Sequence, residues 1–326
     1  MISIDPWFQE NIVCPRDEAS LRLVGGGLVC PDGHRYRVVD GIPILLRDDV
    51  DSVHWVVDRS LETTDDELIE ASKRNSDSFV HSFVQRAISG TNGIMYERSA
   101  GKLEDYPIPR LRAEPMGGTR FLDIGCNWGR WCFAAARAGF EPIGIDPAYE
   151  AVHAARSVAQ QLGVDARFLV ADARFPPFRR GCFDFVFSYS VLQHLPRDQV
   201  KMSLAETRRV LRPGGRALIQ MPNRLGVRCL YHQARRAFRE AQRFEVRYWS
   251  IPSLEETFSE LIGPTRTYVD GFLSLNAQAA DRSILPLPYR IVVSISESLS
   301  RASESVGALK HVADSIYVES TKPVSA

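Results

Sequence analysis

The sequence predicts an α/β fold, a mainly parallel sheet with helices packed on it, preceded by a small β module. Three observations lead there. Residues 121–131 (Phe-Leu-Asp-Ile-Gly-Cys-Asn-Trp-Gly-Arg-Trp) read as a buried strand, a tight glycine turn and the start of an alanine-rich helix that Gly139 stops. Three further apolar runs, 143–146, 168–172 and 183–188, each end at a polar residue (Asp146, Asp172, Ser188) and pass into a loop or a helical pattern. Such alternation is the mark of strand–helix units in a parallel sheet. Near the N-terminus, Cys14-Pro15 and Cys30-Pro31 flank a hairpin pattern too short to bury a core of its own.

In that first module, residues 1–50, residues 21–24 and 28–30 flank a Gly-Gly-Gly turn at 25–27, and an exit strand follows at 40–46. Residues 51–117 form a connector. Asp65 opens one helical pattern, and residues 78–88 carry Phe79, Phe83 and Ala87 at helical spacing. Residues 89–93, Ser-Gly-Thr-Asn-Gly, read as a loop. Tyr96, Lys102 and Tyr106 are candidates for lid or substrate contacts, the alternative being plain packing of the connector.

From 118 to 326 the main domain continues. The second helix carries Val152, Ala155, Ala159 and Leu162 on one face, and the helix after the fourth strand carries Val200, Leu204 and Leu211. A turn through Pro213-Gly-Gly215 leads to a fifth strand at 216–221. Residues 266–269 and 314–319 are the expected final antiparallel pair, with an insertion of about 270–313 between them. Asp184, inside the fourth strand, reads as a partner of nearby backbone. Val227, Tyr231, Ala234, Phe238 and Ala241 recur at helical spacing over 224–243, and Arg228, Arg235, Arg236, Arg239 and Arg243 share another face. This predicts a basic amphipathic helix, facing solvent, a phosphate-bearing substrate, a membrane surface or RNA.

Glycines at 125 and 129 let a ligand reach bare backbone, and the helix start beyond them offers unpaired N–H groups. Ligands of parallel sheets sit at the carboxyl ends of the strands. A carboxylate there, as at Asp146, can take both hydroxyls of a ribose, and the next strand end, at Asp172, can accept from an adenine amino group. The site is one for an adenosine ligand. A dinucleotide-binding turn fits less well, because it wants G-x-G-x-x-G and position 127 is Asn.

With these residues together, the stretch from 117 to 222 resembles the class I S-adenosylmethionine-dependent methyltransferases. Their site opens acid-x-Gly-x-Gly-x-Gly; here it reads Asp123-x-Gly125-x-Asn127-x-Gly129, with Asn in the middle place, a residue that tolerates left-handed backbone. The resemblance implies a Rossmann-like seven-stranded sheet in the order 3-2-1-4-5-7-6 with strand seven antiparallel, and S-adenosyl-L-methionine as cofactor. It assigns Asp123, Gly125, Cys126, Asn127 and Gly129 to the methionine end, Asp146 with Pro147 to the ribose, and Asp172 with Ala173 to the adenine. Ser188 and Gln193 would contribute from the end of the fourth strand. The first module resembles the zinc-ribbon-like domain that precedes many bacterial methyltransferases, including its Gly-Ile-Pro exit strand at 41–43. Asp17 stands where the second cysteine of the first knuckle belongs. Either Cys14, Asp17, Cys30 and His34 hold a structural zinc, or the ribbon is metal-free, Asp17 caps a turn and His34 is a surface histidine.

The implied chemistry is direct methyl displacement, for which the protein chiefly aligns nucleophile and methyl. His194 is the candidate general base, or else a helix-start residue packing near the cofactor. Composition adds bounds. The formal net charge is zero and 44% of residues are hydrophobic, so no global field favours nucleic acid. No run approaches the ~18 apolar residues of a membrane span. The N-terminus lacks a secretory pattern, and six scattered cysteines suit a reducing cytoplasm. The expectation is a cytoplasmic methyltransferase of a small molecule, a glycan or a lipid-linked intermediate, with peripheral membrane contact compatible. The alternatives are an RNA base methyltransferase, suggested by the ribbon and the arginines, and a non-catalytic binding protein on the same fold. Residues 188–191, Ser-Tyr-Ser-Val, in place of a Pro-Pro-Tyr motif, disfavour adenine or glutamine amino acceptors.

Overall fold

The computed structural model describes residues 4–52, 54–72, 79–115, 118–274 and 276–324. Its strands are β1 (Arg22–Val24), β2 (Gly27–Val29), β3 (Arg35–Val39), β4 (Ile42–Leu45), β5 (Arg120–Ile124), β6 (Glu141–Asp146), β7 (Arg167–Ala171), β8 (Phe183–Ser188), β9 (Leu211–Pro222), β10 (Thr265–Gly271) and β11 (Ser315–Thr321). They form one sheet in the order β1-β2-β3-β4-β7-β6-β5-β8-β9-β11-β10. Strands β7 to β9 lie parallel about β5, and β11 runs antiparallel between β9 and β10.

The sheet therefore has eleven strands, not seven, because the N-terminal module is part of it. The Asp40-Gly41 turn has positive φ at both residues (48° and 74°), the twist that a two-residue hairpin requires. It delivers β4 alongside β7 in parallel, with Ile44 opposite Val170 and Leu45 opposite Ala171. A bare β7 would be an open edge with unpaired backbone groups, and the module covers it.

Strand alternation divides the core into two layers. Leu122, Ile124, Ile145 and Leu169 face one side; Phe121, Phe185 and Phe187 face the other, where their rings pack 5.5 and 5.8 Å from Phe121. Trp7, from the first helix (Pro6–Asn11), packs edge-on to Phe178, tying the module to the first layer.

Several sequence expectations shift. Residues 89–92 belong to the helix Ser82–Asn92, which stops only at Gly93 with φ 96°; the positive-φ stop outweighs the loop-like composition before it. Phe79 lies ahead of that helix and is exposed, and Ser78 is outside the described residues. The turn at 213–215 is incorporated in β9, because Gly214 N–H donates to the Lys322 carbonyl and Gly215 accepts from Lys322. The arginine-rich helix is only Val227–Arg235, and its apolar residues Val227, Leu230 and Tyr231 point to solvent. Among the described residues no helix is long and apolar enough to cross a membrane.

If the module and the main sheet fold as one unit, Ile44→Ala, at a site 2% exposed, should cost about 2–5 kcal/mol in a single transition. Coincident urea curves by tryptophan fluorescence and circular dichroism check this. A shift confined to a separate, earlier transition would refute the coupling.

Candidate functional site

The turn after β5 is built for close approach. Gly125, Asn127 and Gly129 have φ of 78°, 47° and 85°. A Cβ at Gly125 would stand 2.2 Å from Val191 Cγ2, so that position excludes side chains sterically as well as by conformation. Gly125 and Cys126 N–H groups donate to the Ile145 carbonyl (2.8 and 2.9 Å), which pins the turn against the end of β6.

Asp146 closes this arrangement. Its carboxylate accepts from Asn127 N–H (3.0 Å) and Ala148 N–H (2.9 Å). Burial raises its pKa to about 6, against the opposing pull of those two backbone donors. Asp123, 1% exposed, lies behind the turn, with Cys132 Sγ donating to it at 3.4 Å. Burial pushes its pKa up to about 7.

In front of the turn is a cavity of 670 Å³, within the range of small-molecule and cofactor sites. Gly125, Cys126, Asn127, Asp146, Pro147, Asp172, Ala173, Gln193 and His194 all reach its wall. Three predicted residues do not. Ser188 is fully buried and donates to the Ile124 carbonyl (3.0 Å), holding β8 to β5. Asp123 and Gly129 support the turn from behind. Two buried polar atoms on the lining residues, Trp128 Nε1 and Gln193 Oε1, lack a hydrogen-bond partner among the described residues. Groups of this kind call for a ligand or water.

Asp172 is more constrained than its position alone implies. Arg174 clamps it through Nε (3.1 Å), Nη2 (2.7 Å) and its own backbone N–H (2.8 Å), and also donates to the Asp51 carbonyl (2.8 Å). Most of its acceptor capacity is thereby used. The Asp-x-Arg spacing was visible in the sequence; its consequence was not.

His194 follows Gln193 in a short helical turn (Leu192–His194). Its Nδ1 donates to the Phe244 carbonyl (2.7 Å), and the Phe244 ring stacks on it at 3.9 Å. The bond assigns the proton to Nδ1 and leaves a lone pair on Nε2, 3.3 Å from Gln193 Nε2. Burial, offset only in part by the Phe244 bond, lowers its pKa to about 4. His54 packs against the other side of Phe244 at 4.1 Å. His54, Trp55 and Phe244 line the cavity from positions remote in sequence, and no local motif marks them.

Tyr96, Lys102 and Tyr106 do not line the cavity. Tyr96 is buried and hydrogen-bonds Asp281, which also takes Arg130 Nη2 at 3.2 Å. Tyr106 bridges the His81 N–H and Gln161 Oε1 (2.8 and 2.7 Å), and Lys102 is exposed. Asp184 accepts from Arg120 N–H at 3.0 Å.

In the N-terminal module, His34 Nδ1 lies 2.9 Å from Asp17 Oδ2, 3.3 Å from Cys30 Sγ and 3.5 Å from Cys14 Sγ, and Cys30 Sγ lies 3.3 Å from Asp17 Oδ2. All four donor atoms fall within 4.8 Å of one another.

Comparison with known proteins agrees with this geometry. Residues 121–215 match the model of a methyltransferase domain family. The chain is 33% identical over 171 residues to the biotin biosynthesis bifunctional protein BioHC of Cellvibrio japonicus, covering 52% of this chain and 32% of that protein. It is 33% identical over 112 residues to the ubiquinone biosynthesis O-methyltransferase of Brucella ovis, covering 34% and 44%. These curated relatives are thus matched over less than half their own length. Among solved structures, the YcgJ protein of Bacillus subtilis aligns with a TM-score of 0.45 at 23% identity, covering 65% of this chain and 94% of that one. Residues 121–215 are thus similar to a methyltransferase domain.

Asp123 binds more protons folded than unfolded between its ordinary value of 3.8 and about 7. Stability should therefore fall as pH rises across that window. Asp123→Asn, which cannot ionise, should flatten the fall; urea midpoints measured from pH 4 to 8 decide, and an unchanged slope would count against it.

Proposed function

We propose that the chain is an enzyme that transfers a methyl group from S-adenosylmethionine to a small molecule, glycan or lipid-linked acceptor by direct displacement. The observation that carries this reading is the convergence of the side-chain-free Gly125 turn and the backbone-anchored Asp146 carboxylate on one cavity. When bound, the cofactor supplies an electrophilic methyl on a sulfonium. Asp146, with lone pairs left over from its two backbone bonds, is the ribose acceptor. Asp172, held by Arg174, and Ala173 take the adenine end. The turn from Gly125 to Gly129 receives the methionine end, with Asp123 acting only through the backbone it supports. Gln193 lines the same cavity, its amide nitrogen held by Ser190 Oγ at 2.6 Å.

His194 is the proton acceptor for the nucleophile. Its low pKa keeps it neutral at physiological pH and makes it a weak base, so positioning is its main contribution, and its Nδ1–Phe244 bond aims the ring. The six cysteines, all unpaired and buried, support a reducing, cytoplasmic setting. The residues 1–50, 51–117 and 118–326 act as ribbon, connector and catalytic portion.

We assign a structural zinc to Cys14, Asp17, Cys30 and His34. Donors at Zn–S of ~2.3 Å and Zn–N or Zn–O of ~2.0–2.1 Å, set at tetrahedral angles, stand about 3.3–3.8 Å apart, and the donor atoms here lie from 2.9 Å to within 4.8 Å of one another. The purified chain should then carry about one zinc, lost in Cys14→Ser. Metal analysis that finds under about a tenth of an equivalent, with chelator leaving the unfolding curve in place, ends this assignment.

Two measurements test the main reading. Calorimetry should show S-adenosylhomocysteine binding that weakens at least about tenfold in Asp146→Asn, a loss of charge-assisted hydrogen bonds. Binding should also weaken as pH drops below about 6, where Asp146 takes up a proton. With an acceptor found, His194→Ala should lower kcat by about 10²–10⁴-fold while product binding holds. Turnover within a few-fold of wild type would remove the base role.

A further inference from the structure

The arginines of residues 224–243 do not form one solvated stripe. Arg228, Arg235 and Arg236 converge with His232 on a second recess, 510 Å³ in volume. Arg228 donates to the Leu273 carbonyl (3.2 Å) and lies 3.3 Å from His232 Nε2. Arg236 donates to the Val246 carbonyl (2.9 Å) and lies 5.1 Å over the Tyr248 ring, and its Nε is buried without a partner among the described residues. Arg235 lies 5.9 Å over the Tyr231 ring.

Carbonyls and ring faces do not neutralise these charges. Among the described residues, none of the three arginines has a carboxylate within ion-pair distance. The nearby acids are committed elsewhere. Glu245, on the recess wall, accepts from both Nη atoms of Arg239 at 2.6 Å. Asp314 is fully buried and accepts from the N–H groups of Cys229 and Leu273 at 2.9 and 2.6 Å. Three guanidiniums held around one concavity without counter-charge repel one another, and forked donors of this kind match phosphate oxygens.

The recess and the large cavity share Phe244, Val246 and Asn276. The wall between them thus includes Phe244, whose carbonyl and ring position His194. We propose that this recess is the acceptor's anchoring subsite: the acceptor carries a phosphate or pyrophosphate group, held by Arg228, Arg235 and Arg236, while its methyl-accepting atom lies past Phe244 beside His194. This rests on the methyl-transfer reading for the large cavity, and it narrows the acceptor class to phosphorylated molecules. The exposed Val227, Leu230 and Tyr231 beside these arginines suit an amphiphile as well as a soluble phosphate ester.

The test titrates the full chain with inorganic pyrophosphate and, separately, with phosphatidylcholine vesicles containing or lacking phosphatidic acid. The proteins are wild type, Arg235→Gln and Arg228→Gln/Arg235→Gln. S-adenosylhomocysteine binding is measured on each. The expected result is pyrophosphate or phosphatidic-acid binding that weakens about tenfold or more in the double variant, with S-adenosylhomocysteine affinity within about twofold of wild type in every protein. Response to the vesicles alone assigns a lipid phosphate, and response to pyrophosphate a soluble one. Arg235 is exposed, so its single variant should fold and show the smaller effect. Neither probe binding, or binding indifferent to both substitutions, overturns the subsite. So does tight binding of a short oligoribonucleotide that pyrophosphate does not displace. Loss of S-adenosylhomocysteine binding in the wild type would instead strike the methyl-transfer reading, leaving the anion result to stand by itself.

Discussion

One carboxylate organises the centre of this molecule. Asp146 ends β6, accepts the Asn127 N–H from the turn that follows β5, and accepts the Ala148 N–H at the start of the next helix. Three elements meet at two oxygens, and the Asn127 backbone is held in its left-handed conformation by that bond. A neutral side chain at 146 offers one acceptor oxygen where the fold uses two, and the turn would lose a charge-assisted anchor. The burial that raises the pKa of Asp146 is the same burial that makes those two hydrogen bonds strong.

Much of this was legible beforehand because the signals are local. The strand–turn–helix at 121–131, the acids ending β6 and β7, and the hydrophobic faces of the sheet-packing helices all lie within a few residues of their own cause. What could not be read involves partners far apart in the chain. Arg174 is two residues from Asp172, yet only the fold shows that it takes most of that carboxylate's lone pairs. Phe244 is fifty residues from His194 and gives no sign of being its hydrogen-bond acceptor. The helix at Val227–Arg235 is shorter than the pattern over 224–243, because helical spacing identifies an apolar face and by itself says neither where the helix stops nor that the face is inward.

The N-terminal module shows how a unit without a core can still be ordered. Its buried side chains, among them Leu28, Tyr36 and Val38, share a cluster with the main sheet rather than closing one of their own. Its last strand borrows the β7 edge for backbone pairing. Beside the four clustered donor atoms of Cys14, Asp17, Cys30 and His34, the Val13 N–H donates to the Pro177 carbonyl (2.9 Å), a second tie to the main domain.

Asp281 has a kinetic consequence. It is fully buried, and it ties Tyr96 of the connector and Arg130 of the turn's own helix to the segment that lies between β10 and β11. The connector, the helix after the turn and this segment are thereby joined at one buried ion pair, and breaking it would strand a charge in low dielectric. Trp55 and Phe244, on the cavity wall, are by contrast 63% and 45% exposed, and little packing holds them in place. Displacing the exposed Phe244 ring would cost less than parting that ion pair, and it would uncover the imidazole on which the ring stacks.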